Sequence, residues 1–373
     1  MTAGSSLKDQ LFNAEKARYL AGLFSDAVPG FDADALVAAI MGRLPDLELK
    51  QRIDWIADCL GQAFPQPLPD LAPILRAALP PPLSNDRTDN DFGDFIFAPL
   101  GELVAARGLE RDTDLALDLL AEITQRFSME LAIRPFLVRH PERVLEKMQA
   151  WAQHPHYHVR RLVSEGARPK LPWGIGIPLE PDRGLPLLDV LHGDTTRYVT
   201  RSVANHLNDI GKSDPDLVVA TLRRWHGEVR QSPDELDWMT RHALRSLVKS
   251  GHPGAMALLG FDPEVEVTLA ALDVPTTIAI GDTLDIRATL EATSDTRALV
   301  DWVFWRRRAN GALAAKVFKL RQVALRAGEP VTLSKSHRLR GDATTFRLYP
   351  GPHRIEIQVN GRVIGGADFE LTE

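Results

Sequence analysis

The chain has a single cysteine, Cys59, among its 373 residues. One thiol cannot form an internal disulfide, so the sequence favours a reducing compartment. No apolar run is long enough to span a bilayer, and the opening residues lack the apolar centre of a secretory signal. We therefore expect a cytoplasmic protein without a membrane partner, long enough for two or three domains.

Signatures of a bound metal or nucleotide are also missing. His154, His156 and His158 alternate along the chain, but no cysteine or carboxylate cluster completes a ligand set. The segment Gly174-Ile175-Gly176 is not followed by the Lys-Ser/Thr pattern of a phosphate-binding loop. The sequence thus predicts no metal and no cofactor.

Acidic and basic residues are unevenly distributed, although the formal net charge is −6. Residues 1–110 carry 9 basic and 16 acidic side chains, whereas residues 151–260 carry 14 basic and 12 acidic ones. The net charge argues weakly against a nucleic-acid ligand, but the local distribution decides where a polyanion binds. The later segments are the better candidates.

The chain repeats itself from about residue 111, and residues 5–110 also have helical apolar spacing. Val159, Val199 and Met239 come into register at a period of forty residues, with an arginine two residues later in each segment. A period near forty with two helices per unit is typical of HEAT-like α-solenoids. The alternative is chance similarity among amphipathic helices.

Alternation with period two replaces the helical pattern after residue 262. Six to eight short strands are expected, with hairpin turns at Asn310-Gly311 and Asn360-Gly361. These features indicate an immunoglobulin-like sandwich that lacks the cysteine pair of antibody domains. The predicted fold is a HEAT-like α-solenoid over residues 1–262, followed by an immunoglobulin-like β-sandwich over residues 263–373.

The stretch between Val159 and Trp173 has the strongest functional pattern. Its predicted helix ends at Gly166, since two prolines follow. Cationic, acidic and aromatic side chains converge on this helix and the loop after it: Arg161, Glu165, Arg168, Lys170 and Trp173.

Arginines at one position of three repeats, Arg161, Arg201 and Arg241, predict a cationic wall that suits a polyanionic backbone. Steps of four residues add further positions to the same faces: Glu165, Asn205, Asp209 and Arg245. Glu130 and Arg134 have the same spacing, on a helix predicted to end at Pro135. The predicted DNA-binding set is Arg134, Arg161, Arg168, Lys170, Arg201, Asn205, Arg241, Arg245, and Arg306 and Arg307 at a hairpin tip of the β-domain.

Each of these signals has an ordinary structural explanation. An arginine and a glutamate four residues apart form a common surface pair worth only tenths of a kcal/mol. A charged hairpin usually only keeps a sheet edge soluble. Carboxylates among DNA-binding cations weaken phosphate binding, however, so Glu130, Glu165 and Asp209 are expected to have a role of their own.

The segment Arg160–Trp173 resembles the hallmark of the DNA alkylation repair glycosylases built from HEAT-like repeats. Four further segments resemble the AlkC branch of that family rather than the AlkD branch: Leu7–Asp9, Leu47–Ile53, Ser128–Phe136 and Val203–Ile210. The resemblance covers residues 5–260. The β-domain resembles the C-terminal immunoglobulin-like extension found in a subset of AlkC proteins.

The resemblance implies a base excision repair enzyme that acts on double-stranded DNA. Its expected reaction is hydrolysis of the N-glycosidic bond of alkylated bases, notably 3-methyladenine and 3-methylcytosine, without extrusion of the base. The family's catalytic acidic and aromatic positions fall on Glu130, Glu165, Trp173 and Asp209. We expect the enzyme to be a monomer that uses neither metal nor cofactor.

The residue types suit that chemistry. A ring-methylated base is cationic and leaves readily, so the transition state chiefly requires stabilisation of an oxocarbenium-like sugar, which carboxylates supply. Asp209 is our choice for activating water, and Trp173 offers a π-face to the cation. The competing hypothesis is a non-catalytic repeat scaffold that binds DNA or a protein partner. In a third possibility, the β-domain recruits a repair partner while the solenoid hydrolyses the N-glycosidic bond.

Overall fold

The computed structural model describes residues 6–86, 89, 92–341 and 347–373. Helices form the described chain as far as residue 258, and strands follow from residue 267. The α-helices are α1 Leu7–Leu11, α2 Ala14–Ala27, α3 Ala33–Met41, α4 Leu49–Ala63, α5 Leu68–Ala78, α6 Ala98–Gly108, α7 Thr113–Thr124, α8 Arg134–Arg139, α9 Pro141–Trp151, α10 Tyr157–Gly166, α11 Pro181–Leu191, α12 Arg197–Ile210, α13 Pro215–Glu228, α14 Pro233–Ala243, α15 Arg245–Lys249 and α16 Pro253–Leu258.

Local chemistry explains where several helices begin. Asp32 caps α3, because its Oδ1 accepts a hydrogen bond of 2.9 Å from the Ala35 amide. Proline is the first residue of α9, α11, α13 and α14, where its missing N–H costs no helical hydrogen bond. Among the residues described, no helix combines the length and the apolar content needed to cross a membrane.

The forty-residue register corresponds to equivalent positions on neighbouring helices. Helix α12 packs against α10 on one side and against α14 on the other. Val159, Val199 and Met239 lie on these three helices and are completely buried. The predicted fold class, a helical repeat region followed by an immunoglobulin-like domain, is confirmed.

Two details of the helix prediction were wrong. Glu130 and Arg134 do not share a helix that ends at Pro135; α8 begins at Arg134, and Pro135 is its second residue, a position that proline favours. The third repeat is interrupted as well, because α14 ends at Ala243 and Arg245 begins the separate helix α15. Arg245 therefore does not continue the face that carries Arg241.

Eight strands of the described chain form two sheets. The strands are β1 Val267–Asp273, β2 Thr277–Ala279, β3 Thr283–Ala292, β4 Thr296–Arg307, β5 Leu313–Leu325, β6 Val331–Arg338, β7 Gly351–Val359 and β8 Arg362–Thr372. One sheet has the order β1-β3-β6 and the other β2-β8-β7-β4-β5, with only β2 and β8 parallel. Inward-facing residues such as Ile286, Trp302 and Ile357 form the shared core and are inaccessible to solvent.

The two predicted hairpins are present, with β4 joined to β5 and β7 joined to β8. Asn360 and Gly361 both have positive φ values, 45° and 87°, as a two-residue type I′ turn requires. The side-chain Nδ2 of Asn360 also donates to the Asp262 carbonyl at 2.7 Å. The hairpin therefore anchors the segment that leads into the sandwich.

The chain forms two compact units, one comprising residues up to Ile210 together with Trp225–Ala243, and the other Gly211–Arg224 with Leu244–Glu373. Within the second unit, Met256 and Phe261 pack against Leu299 of the sandwich. A Cβ at Gly251 would lie 2.5 Å from the Gly361 carbonyl oxygen, so glycine is needed at this contact. The domain boundary predicted between residues 262 and 263 stays a prediction. Helices α15 and α16 precede that boundary in the chain but belong to the same compact unit as the sandwich.

Candidate active site

Helix α10 supplies the centre of the site. Val159, Leu162 and Val163 are buried on its apolar side. The helix ends at Gly166, where a Cβ would lie 2.6 Å from the Ile133 side chain, so only glycine lets the helix approach that segment. This packing fixes the polar side of α10 against the loop before α8 and against α12.

Five alternating charges from these elements form a continuous chain of ion pairs. Glu130 pairs with Arg161 at 2.8 Å, and Arg161 lies 3.6 Å from Glu165. Arg168 joins Glu165, at 2.6 Å, to Asp209, at 2.8 Å. We call these five residues the charge chain; with three carboxylates and two guanidinium groups, its formal charge is −1.

Two serine hydroxyl groups add hydrogen bonds to the charge chain. One is on the loop that carries Glu130, and the other is on α12, which carries Asp209. Ser128 Oγ donates to Glu130 Oε2 at 2.8 Å and accepts from Arg161 at 3.1 Å. Ser202, seven residues before Asp209 on α12, donates to Glu165 Oε2 at 2.6 Å. Glu130 and Glu165 are therefore each held by a hydroxyl group as well as by an arginine.

Burial differs along the charge chain. The side chains of Glu165 and Asp209 are 6% and 3% exposed, whereas the Glu130 side chain is 25% exposed. Burial by itself would raise the pKa of Glu165, but Arg161, Arg168 and the Ser202 hydrogen bond outweigh it, and the pKa is lowered. Glu165 is therefore an anion at neutral pH, and Glu130 is the member most open to a ligand.

Trp173 lies beside this network in a strained conformation. Its side chain is 63% exposed, and its φ of 64° is in the left-handed region, which costs a bulky residue about 1–3 kcal/mol. An exposed tryptophan held with strain is more typical of a ligand contact than of folding.

Arg134 holds the Trp173 loop in place. Its Nε donates to the Ile175 carbonyl at 2.6 Å, and its Nη1 donates to the carbonyls of Gly166 and Arg168, both at 2.9 Å. Arg134 was predicted to contact DNA, but it is completely buried and no phosphate can reach it in this structure. Its contacts make it a positioning residue.

The other predicted DNA contacts are in different environments. Arg168 and Arg161 are engaged by the carboxylates of the charge chain, and Arg161 also stacks over Tyr198 at 4.5 Å. Arg201 forms an ion pair with Asp89, and Asn205 Oδ1 lies 2.9 Å from His242 Nε2. Lys170 and Arg241 are exposed, whereas Arg245, Arg306 and Arg307 are half-buried in the second unit.

Comparison with known proteins places the chain in a family. Residues 268–373 match the family model described as the C-terminal Ig-like domain of the uncharacterised protein YhaZ. YhaZ of Bacillus subtilis (strain 168) is 30% identical over 367 residues, covering 97% of this chain and 98% of YhaZ. The structure of Pseudomonas fluorescens alkylpurine DNA glycosylase AlkC, bound to DNA containing an abasic site analog, is 34% identical. It has a TM-score of 0.86 and covers 99% of this chain and 100% of AlkC. The chain belongs to the AlkC family. The resemblance inferred from the sequence is thereby confirmed.

In this AlkC family member, two cavities meet at Glu130. One, of about 90 Å³, lies between Trp173 and Glu102 and is otherwise mainly apolar. The other, of about 700 Å³, is lined by the cations Lys16 and Arg161 and by the aromatic residues Phe92 and Tyr198. Both cations pair with carboxylates of the same lining, Lys16 with Asp94 and Arg161 with Glu130. Glu130 thus borders one mainly apolar cavity and one that is lined by ion pairs.

Sequence reasoning missed several of these residues. Ser128 and Ser202 orient carboxylates, and Tyr198 supports Arg161, but single hydroxyl-bearing residues carry no spacing signal. Glu102 and Lys16 are isolated charges on ordinary amphipathic helices. Only the fold brings them to the walls of the cavities.

The described residues contain no group of three or more histidine, cysteine, aspartate or glutamate side chains placed to hold a metal ion. His156 Nδ1 accepts from the His158 amide at 3.2 Å, and its Nε2 lies 3.0 Å from the Leu83 carbonyl. Burial lowers the pKa of His156. His156, the middle residue of the alternating histidines, therefore has structural partners.

Proposed function

We propose that this chain is a DNA glycosylase that hydrolyses the N-glycosidic bond of cationic alkylated bases, such as 3-methyladenine and 3-methylcytosine, in double-stranded DNA. The charge chain beside the exposed Trp173 is the observation that carries the proposal. Membership of the AlkC family supports it, since the related Pseudomonas protein is an alkylpurine DNA glycosylase bound to DNA.

The reaction needs a negative site more than it needs an acid. An alkylated ring nitrogen gives the base a positive charge, so the base departs as a neutral molecule while charge develops on the sugar. Fixed carboxylates near that charge lower the barrier by several kcal/mol, because little solvent reorganises around them. We assign Glu130, the most exposed carboxylate of the charge chain, the role of facing the sugar.

The two buried carboxylates of the charge chain, Asp209 and Glu165, are the inner carboxylates, and we give them the remaining roles. Arg168 fixes Asp209 through hydrogen bonds to Oδ2, and we assign Asp209 the role of orienting and deprotonating the attacking water. Glu165 keeps Arg161 and Arg168 in position and adds negative charge behind Glu130. Trp173 offers its ring to the cationic sugar or base.

The cavity beside Trp173 supports a base that stays within the duplex. Pockets that enclose a small ligand usually measure about 300–1,000 Å³. This cavity measures about 90 Å³, so a base extruded by about 180° would not fit inside it. The neighbouring cavity at Glu130, of about 700 Å³, lies within the usual range, so the size argument applies to the Trp173 side alone.

Exposed cations are the proposed contacts to the DNA backbone. Lys170 lies two residues after Arg168 of the charge chain. Arg241 is on α14, which packs against α12. Such contacts position a duplex without reading its sequence. Selectivity would come from charge, because a neutral base leaves poorly. Arg306 and Arg307 of the β-domain are proposed as accessory contacts.

The direct test is release of free 3-methyladenine or 3-methylcytosine from alkylated duplex DNA by the purified full chain. We expect release without added metal or cofactor. Binding of the duplex without release would favour the non-catalytic scaffold instead.

Substitution of the inner carboxylates tests the assigned roles. Glu165→Gln and Asp209→Asn should each lower the rate of excision at least about tenfold, or ~1.4 kcal/mol of barrier, with DNA binding unchanged or tighter. The control is Glu142→Gln, since Glu142 is a surface carboxylate whose side chain is 81% exposed. Wild-type rates in both variants would contradict the assignment.

A further inference from the structure

A second carboxylate, Glu102 on α6, lines the cavity beside Trp173. Glu102 and Glu130 are its two acidic residues, and the walls between them include Phe95, Phe127 and Met129. Glu102 is half-buried and also borders a second cavity, of about 440 Å³, that faces α4. No spacing pattern in the sequence marks this residue.

Glu102 differs from the carboxylates of the charge chain in its partners. Each of those forms an ion pair with an arginine, whereas no hydrogen bond or ion pair involves Glu102 within the described chain. Burial raises the pKa of Glu102, and Lys50 only partly offsets that rise. Placing a carboxylate in an apolar wall without a cation costs stability, so folding alone gives no reason for it.

The charged residues that line the Trp173 cavity, Glu102 and Glu130, are both acidic, and no basic side chain of the described residues lines it. The nearby cations lie behind these carboxylates: Arg161 and Arg134 beside Glu130, and Lys50 beside Glu102. The lining itself therefore has a negative potential. An apolar cavity screens charge weakly, so this potential extends across the cavity. Because DNA is itself a polyanion, a surplus of negative charge is unfavourable unless the bound group is cationic.

We propose that Glu102 is a specificity-determining residue, which favours cationic over neutral groups at the Trp173 cavity by acting through space. This inference rests on the proposed glycosylase function and deepens it. Glu102 supplies selectivity for positive charge, whereas Glu130 faces the reacting sugar directly. Glu102 transfers no proton in this account.

Binding of two abasic-site duplexes tests this role without any reaction. One duplex carries a neutral tetrahydrofuran in place of the lesion, and the other carries a protonated pyrrolidine of the same shape. The wild-type protein should bind the pyrrolidine duplex more tightly. Glu102→Gln should reduce the ratio of the two Kd values about tenfold, or ~1.4 kcal/mol, mainly by weakening the pyrrolidine complex.

Two variants control for other causes. Glu102→Asp keeps the charge and should retain most of the preference, which a purely structural role would not predict. Asp58→Asn removes an exposed carboxylate that borders the neighbouring cavity but not the Trp173 cavity, and its ratio should match the wild-type ratio. All measurements use one salt concentration, because DNA binding depends steeply on salt.

The outcomes separate the two proposals. If the wild-type protein does not prefer the charged duplex, the proposed function fails. If the wild-type protein prefers it and Glu102→Gln shows the same ratio, the proposed function stands and the role of Glu102 is overturned. An equal loss of the ratio in Asp58→Asn would also overturn it, since the effect would then be one of general surface charge.

Discussion

The helical unit and the β-sandwich both contain networks of arginine and carboxylate, and the two networks differ in burial. In the charge chain, the side chains are between 3% and 25% exposed. In the sandwich, Arg354 bridges Glu356 and Asp368, and these side chains are between 17% and 74% exposed. An exposed network of this kind contributes at most about 1 kcal/mol per pair, whereas burying charge is costly and folding alone gives little reason for it. The comparison therefore supports the proposal that the helical network is the functional one.

Removal of the arginine from each network should give the largest contrast. Arg168→Met leaves Glu165 and Asp209 buried without their shared cation, and we expect a loss of about 3–5 kcal/mol in the free energy of unfolding. Arg354→Met should cost about 1 kcal/mol or less. Denaturation by urea measures both, and equal losses would show that burial does not distinguish the networks.

His206 should make the stability of the helical unit depend on pH. Burial lowers the pKa of His206, which accompanies Asp209 on α12, to about 4. The unfolded state then binds more protons than the native state between about pH 6.5 and pH 4, so His206 makes stability fall as pH falls through that window, by up to ~3 kcal/mol. His206→Gln should flatten this part of the curve of unfolding free energy against pH. An unchanged slope would contradict the buried neutral imidazole.

Smaller effects are expected from the arginines of the repeated position. Arg241→Ala removes an exposed cation, and it should weaken binding to any duplex and reduce the magnitude of the salt slope by about one. Arg161→Ala should alter excision more than the salt slope, because Arg161 is paired with Glu130 and Glu165. Equal changes in the two salt slopes would mean that Arg161 also contacts phosphate.

Much of the fold could be predicted from the sequence, because regular spacing reports regular structure. The shared register of Val159, Val199 and Met239 identifies three packed helices, and Asn360-Gly361 identifies a turn. Strand β8 was harder to see, since Gly365 and Gly366 interrupt its apolar pattern. A Cβ at Gly365 would lie 2.6 Å from the Leu269 side chain, so tertiary packing rather than strand propensity places glycine there.

The sequence pattern named charged residues that the structure brings together, but it did not predict the ion pairs between them. Glu130 was expected to pair with Arg134, four residues away, whereas it pairs with Arg161, thirty-one residues away. Arg134 itself is buried and holds backbone carbonyls. Spacing along a helix cannot foresee a loop that brings a carboxylate to another helix. For the same reason Glu102 carried no signal until α6 was placed beside the Trp173 loop.

The most direct measurement is the single-turnover rate at which Glu130→Gln releases 3-methyladenine from alkylated duplex DNA, with Glu142→Gln as the matched surface control. The account predicts a rate at least about tenfold below wild type for Glu130→Gln, with duplex affinity retained and the control unchanged. A wild-type rate in Glu130→Gln would contradict the claim that the accessible carboxylate of the charge chain stabilises the cationic sugar.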